Sequence, residues 1–134
     1  VYPWGYNREM NNKQKTFFID IDGTLIVHKE NLHNMILSEM EVLPNVIEKF
    51  LEWRRDGHYI VLTTARAEGA RYSTERQLSK VGIFYDKLIM GLTNGQRVLI
   101  NDTKSDGVPS AVAYSITRDA GLGEVDIQSK DLEG

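Results

Sequence analysis

The chain has 134 residues and a net charge of −3, with 41% hydrophobic and 26% charged residues, which fits one folded domain around a single core. It has no cysteine, so a disulfide framework, a thiolate metal site and a cysteine nucleophile are excluded. No block of like charge marks a nucleic-acid tail or a polybasic membrane patch, and no run approaches the ~18 apolar residues of a membrane-spanning helix.

Residues 1–15, "VYPWGYNREMNNKQK", lack the apolar centre of a secretory signal and read as a polar lead-in, with Tyr2, Trp4 and Tyr6 available to pack on the domain formed by residues 16–134. A cytoplasmic location is expected. Thr16 to Ile21 is a short run rich in phenylalanine and isoleucine, as in a strand buried on both faces. After Gly23 and Thr24 comes "VHKENLHNMILSEMEV", which has no clear period. Pro44 then opens a helix in which Val46, Ile47, Phe50, Leu51 and Trp53 follow helical spacing, and Gly57 can end it. Tyr59 to Ala65, "YIVLTTA", is a second buried strand, and "EGARYSTERQLSKVG" a second helix closed by Gly82. Further strands are expected at Tyr85 to Gly91, at Gln96 to Asp102 and at Ser110 to Ile116, after which the chain turns polar and weakly patterned. No internal repeat appears.

Strands alternating with helices imply right-handed crossovers and an α/β fold: a three-layer Rossmann-like sandwich with a central parallel sheet of about five strands. Ligands in such sheets sit beyond the carboxyl ends of the strands. Asp20 and Asp22 end the first strand, Thr63 and Thr64 the second, and Asn101 and Asp102 the fourth, so acids and hydroxyls gather at one edge. Two acids after one strand are, taken alone, ordinary turn residues; the glycine, the threonine and the other strand ends make them a site.

Carboxylates converging at a buried strand end repel one another, and a divalent cation relieves the repulsion. Asp20, Asp22 and Asp102 offer hard oxygens, and no histidine occurs in these three segments, which favours Mg2+ over zinc. Magnesium keeps waters and meets phosphate oxygens, which points to a phosphorylated ligand. A carboxylate can also attack phosphorus and form an aspartyl-phosphate.

These residues resemble the haloacid dehalogenase (HAD) superfamily of phosphatases. "DIDGTL" (Asp20 to Leu25) is similar to its first motif, "IVLTTAR" to its second, and "VLINDTKSD" to its fourth, in the family's order and spacing, over roughly Thr16 to Ala113. The resemblance implies that Asp20 is the nucleophile, and that Asp22 protonates the leaving group and then activates water. It implies that Thr64, or its neighbour Thr63, bonds the phosphoryl group. It implies that Asp20, the carbonyl of Asp22 and Asp102 hold Mg2+ with help from Asp106, although Asp106 in "SDGVP" is equally an ordinary turn former. Gly23, Thr24, Ala65 and Arg66 would line the phosphate, with Arg71 a further candidate for a substrate anion. His28 and His33 lie in the loop after the first motif, which in this family approaches the substrate; surface positions are the simpler reading. Trp53 reads as core, and His58 before a strand needs no function.

The family's third-motif lysine is missing, since Gly91 is followed by Leu92 and Thr93. Lys104 is the favoured replacement, ahead of Arg97 and Lys87, because it follows Asp102 in the loop at the active edge. The intervals between motifs leave no room for a cap domain. The resemblance therefore implies a capless phosphatase acting on a small phosphorylated metabolite, such as a sugar phosphate, with neither nucleic acid nor membrane as partner and an open site that a neighbouring subunit can complete. Two rivals stand beside it. A catalytically inactive relative would serve as a binding or scaffold module, and a signalling receiver domain would carry its phosphorylated Asp on the third strand, where Met90 and Gly91 stand here.

Overall fold

The structure, a computed structural model, describes residues 14–127; Tyr2, Trp4 and Tyr6 lie outside the described residues. Three parallel strands, β1 (Thr16–Asp20), β2 (Tyr59–Thr63) and β3 (Lys87–Ile89), pair in the order β1-β2-β3. The register sets Phe17 beside Ile60, Ile19 beside Leu62 and Leu62 beside Leu88, so these apolar residues share one face of the sheet. Helices α2 (Val46–Arg55) and α3 (Arg71–Val81) supply Val46, Phe50, Trp53 and Leu78 to the same core cluster. The Trp53 ring lies 4.4 Å from that of Phe17, which makes it the core residue its spacing predicts. Asn45 precedes α2 in a left-handed conformation, and Gly82 ends α3 in another.

A short helix, α1 (Leu32–Leu37), occupies the stretch that shows no period in the sequence. Asn31 nucleates it by accepting the N–H groups of His33 and Asn34 on its side chain. On either side of α1 the chain pairs with itself: Val27 N–H donates to Glu41 O and Leu43 N–H to Leu25 O, each at 2.9 Å. The excursion from residue 28 to 41 is therefore stapled at its base, next to the end of β1.

Two expectations need correction. Among the described residues the sheet has three strands rather than five: Gln96–Asp102 and Ser110–Ile116 form no strand. Val98, Leu99 and Ile100 are 75%, 59% and 88% exposed, because β-propensity expresses packing against neighbours and a three-residue apolar run without a ladder has none. The sheet is also covered on one face, so the arrangement is two-layered among the described residues. Successive right-handed crossovers that step in one direction put both helices on the same side, and only a reversal of strand order beyond β1 would bring a helix to the other. That second face carries Phe18 and Ile89, 58% and 41% exposed, with Val61 buried on the central strand. No helix among the described residues is long and apolar enough to cross a membrane.

Candidate active site

The chain leaves β1 at Asp20 and enters a tight turn. The carbonyl of Ile21 accepts N–H groups from Thr24, Leu25 and Ile26 at 3.2, 2.9 and 3.3 Å, and Gly23 N–H donates to Ile26 O at 2.8 Å. Ile21 and Leu25 are fully buried and anchor the turn from below. Gly23 has φ +87°, a conformation that side-chain-bearing residues rarely adopt, and this lets the chain reverse between the two acids and Thr24.

Asp20 and Asp22 stand in different surroundings. The Asp20 side chain is 45% exposed, with Arg97 Nη2 at 3.7 Å from Oδ1 and the Thr24 hydroxyl at 3.5 Å from Oδ2. Burial pushes the Asp20 carboxyl above its ordinary range; the Ile21 N–H and Arg97 oppose that rise, and Asp22 adds to it. Asp22 is held instead by Arg66, whose Nε and Nη2 donate to its two carboxylate oxygens at 2.9 and 2.8 Å. The pair is almost dry, at 2% exposure for the Arg66 side chain and 13% for that of Asp22. A fork of this kind fixes orientation as well as charge.

The Arg66 network continues. Its Nη1 donates to Thr74 Oγ1 and to Gln77 Oε1, at 3.1 and 2.8 Å, from side chains one turn apart on α3. Gln77 Nε2 then donates to the carbonyls of Met35, Ile36 and Ser38 at 3.0, 3.2 and 2.7 Å. Asp22 is thus joined through two side chains to the end of α1. The Arg66 guanidinium is committed to Asp22 and α3, whereas the sequence reading set it against substrate.

At the end of β2, Thr63 sits directly beside Asp20 in the sheet and is partly exposed, while Thr64 is 1% exposed. Thr64 Oγ1 accepts the N–H of Arg66 at 3.0 Å, which leaves its own hydroxyl hydrogen to donate. Ala65 follows, partly exposed. Arg71 binds Glu68, Glu75 and the carbonyl of Leu88. His28 is half-buried beside the Gly23 turn, and His33 is exposed.

The structure does not bring Asp102, Lys104 and Asp106 to this cluster. They lie in an exposed turn closed by the Thr103–Pro109 bridge, in which Lys104 exchanges backbone bonds with Gly107 and Val108 and the Asp106 carboxylate accepts Val108 N–H. Among the described residues no group of three or more His, Asp or Glu could hold a metal. The strand that was to carry Asp102 to the sheet end is not formed. Of the three cations weighed for the missing lysine, Arg97 is the one in contact with Asp20; Lys87 opens β3, at the opposite end of that strand from the site.

Sequence reasoning missed three residues here. Gln77 looks like any helical glutamine. Arg118 and Asp119 lie in the polar segment after Ile116, where only Gly121 and Gly123 signal turns, and neither glycine points to a site.

No protein-family model and no curated protein matches the chain. Among solved structures, chains of the "Pnkp1/Rnl/Hen1 complex" and of the "Pnkp1/Rnl/Hen1 RNA repair complex" are similar to it, each at 29% identity over 63% of this chain with a TM-score of 0.52. This chain spans 30% and 28% of the length of those chains.

Proposed function

We propose that the chain is a capless phosphatase of the haloacid dehalogenase type that hydrolyses a phosphomonoester through an aspartyl-phosphate on Asp20. The observation that carries this reading is the separation of the two acids' surroundings. Asp20 presents an accessible carboxylate at the end of β1, while Asp22, two residues on, is gripped by Arg66. Two carboxylates on one turn with different partners suit different tasks.

In this mechanism Asp22 first takes up a proton from solvent as it leaves the Arg66 fork; an Asp20 oxygen then attacks phosphorus as the bond to the leaving oxygen breaks, and Asp22 gives its proton to that oxygen. Water then attacks the phosphoryl group while Asp22 takes its proton, and Asp20 and phosphate are regenerated. Both Asp22 oxygens accept bonds from Arg66, so Asp22 has to swing off one of them to reach the leaving group. The Thr64 hydroxyl and the Gly23–Thr24 and Ala65 backbone would steady the phosphoryl oxygens.

The Asp20 carboxylate and the Asp22 carbonyl are hard oxygens on one turn, a partial set that suits magnesium, which is often bound through one or two carboxylates, waters and substrate phosphate. Mg2+ there would offset charge on the transferring phosphoryl group. We infer that in the working enzyme Gln96–Asp102 adds alongside the free edge of β1, towards the five-stranded sheet, and carries Asp102 to the metal with Asp106 behind it.

The substrate we favour is a small phosphorylated metabolite such as a sugar phosphate, reached through an uncapped site. The likeness to chains of an RNA repair complex favours a second reading, in which the phosphate sits on a nucleic-acid end. Hydrolysis of p-nitrophenyl phosphate, sugar phosphates and a 3′- or 5′-phosphorylated oligonucleotide, with Mg2+ or EDTA, tests both. Magnesium-dependent turnover lost in Asp20→Asn is expected. No turnover on any of them would leave the inactive binding-module reading in its place.

A further inference from the structure

The Arg66 guanidinium is buried against Asp22 and closed to a substrate anion, and that of Arg97, half exposed, faces Asp20 through one contact at 3.7 Å. The segment from Thr117 to Gly121 brings another. Asp119 N–H donates to the carbonyl of Gly23 at 2.8 Å, and the Asp119 carboxylate accepts His28 N–H at 2.8 Å, which clips this segment to the turn at Gly23 and to the chain that leaves it. Asp119 adopts φ +64° to do so, an uncommon conformation for a residue with a side chain. The clip lays Arg118 over Gly23: a Cβ built on Gly23 would lie 3.2 Å from Arg118 Cγ and 3.7 Å from its Nε. Arg118 is exposed and has no carboxylate partner among the described residues.

We propose that Arg118 is a phosphate-binding residue of this site, supplying the cation that the missing family lysine leaves vacant, and that Asp119 positions it. The proposal rests on the phosphatase reading for its catalytic meaning, but anion binding can be measured without turnover. A guanidinium fork engages two phosphoryl oxygens at once, and over a glycine it can approach closely because no side chain intervenes. Its place beside Gly23 puts it over the turn that carries both acids, which need a countercharge before an anion can enter. Glycine at position 23 then has a second reason beyond its φ: a Cβ there would crowd Arg118 Cγ at 3.2 Å.

The test uses inorganic phosphate as the probe, titrated by calorimetry into the full chain carrying Asp20→Asn, with and without Arg118→Ala, Arg118→Lys and Asp119→Ala. Circular dichroism checks the fold of each. Arg118→Ala is expected to weaken phosphate binding about tenfold. Arg118→Lys is expected to recover part of that loss, and Asp119→Ala to lose less than Arg118→Ala. In proteins with Asp20 intact, Arg118→Ala should raise KM for p-nitrophenyl phosphate about tenfold. Phosphate binding unchanged in a folded Arg118→Ala protein overturns the proposal, as does a parent protein that binds no phosphate. A parent that binds phosphate through Arg118 but hydrolyses none of the esters upholds the anion site and sinks only the phosphatase reading.

Discussion

Arg66 has two carboxylate oxygens, a threonine hydroxyl and a glutamine carbonyl oxygen within hydrogen-bond distance, all from a side chain 2% exposed. Truncating it leaves Asp22 as a nearly buried charge without its partner, so Arg66→Ala should destabilise the fold by about 3 kcal/mol in urea unfolding. Arg66→Lys keeps the charge and loses the fork; its expected signature is a larger fall in kcat than rise in KM, because Asp22 is misaligned while the anion pocket survives. Equal activity of Arg66→Lys and the parent would show that Asp22 needs no fixed orientation. A different kind of residue effect sits at the start of β2. His58 is buried, its Nδ1 accepts Lys15 N–H at 3.0 Å, and its ring lies 5.2 Å from that of Phe17. Burial depresses its pKa, Lys15 reinforces the shift and Asp56 opposes it. The unfolded chain therefore takes up the proton first as pH falls. Stability from neutral His58 is present above the ordinary value of 6.5 and is lost as pH falls below it towards the folded pKa. Thermal melts should show Tm falling over that window in the parent, with a shallower fall in His58→Asn, whose Oδ1 can accept the same N–H.

Elements are joined in this molecule by backbone contacts that tolerate no extra atom. Gly121, at φ +84°, has the Pro44 carbonyl oxygen 2.3 Å from where a Cβ would stand, and Leu122 N–H bonds that same oxygen at 3.0 Å. This contact fixes the C-terminal segment on the start of α2, three residues after Arg118. Gly121→Ala should destabilise by at least about 2 kcal/mol, since strain and overpacking combine at rigid backbone. Gly82→Ala, with open space around it, should lose only about 1 kcal/mol for its positive φ. Similar losses in urea for both would show that the Pro44 contact yields. The two helices and three strands were legible in the sequence because their signals are local: Val46, Phe50 and Trp53 at helical spacing, Gly82 as a stop, and short β-branched or aromatic runs. Asp20 and Asp22 were legible as a candidate site because strand, acids and glycine are contiguous. Gln77 was not, since its partners Met35, Ile36 and Ser38 lie about forty residues away and nothing local marks that contact. Arg118 was not, for the same reason: its place over Gly23 depends on Asp119 and on the Gly121–Pro44 contact, neither of which is written in a period or a motif.

At the scale of the whole molecule, among the described residues, no strand pairs with the outer edge of β1, the second face of the sheet leaves Phe18 and Ile89 exposed, and the apolar run Val98–Ile100 is exposed. An edge strand with unpaired backbone groups is a template for another strand; Arg97, which here touches Asp20, would stand at the amino end of the added strand, so that contact opens as the strand forms. Addition of Gln96–Asp102 there would pair backbone groups, shield Val98, Leu99 and Ile100, and move Asp102 towards Asp20. Binding at Asp20 and Asp102 together would favour that state, because a ligand shifts an equilibrium by its differential affinity for the two forms. Hydrogen exchange reads this directly. With Mg2+ and inorganic phosphate the amides of Val98, Leu99 and Ile100 should exchange at least about tenfold more slowly than without them, while those of β2 change little. Asp102→Ala should abolish the slowing, and acid should weaken it, since protons compete with the cation for the Asp20 carboxyl that burial already holds above its usual range. Amides at 98–100 that exchange freely under saturating Mg2+ and phosphate would remove both the fourth strand and Asp102 from the active site.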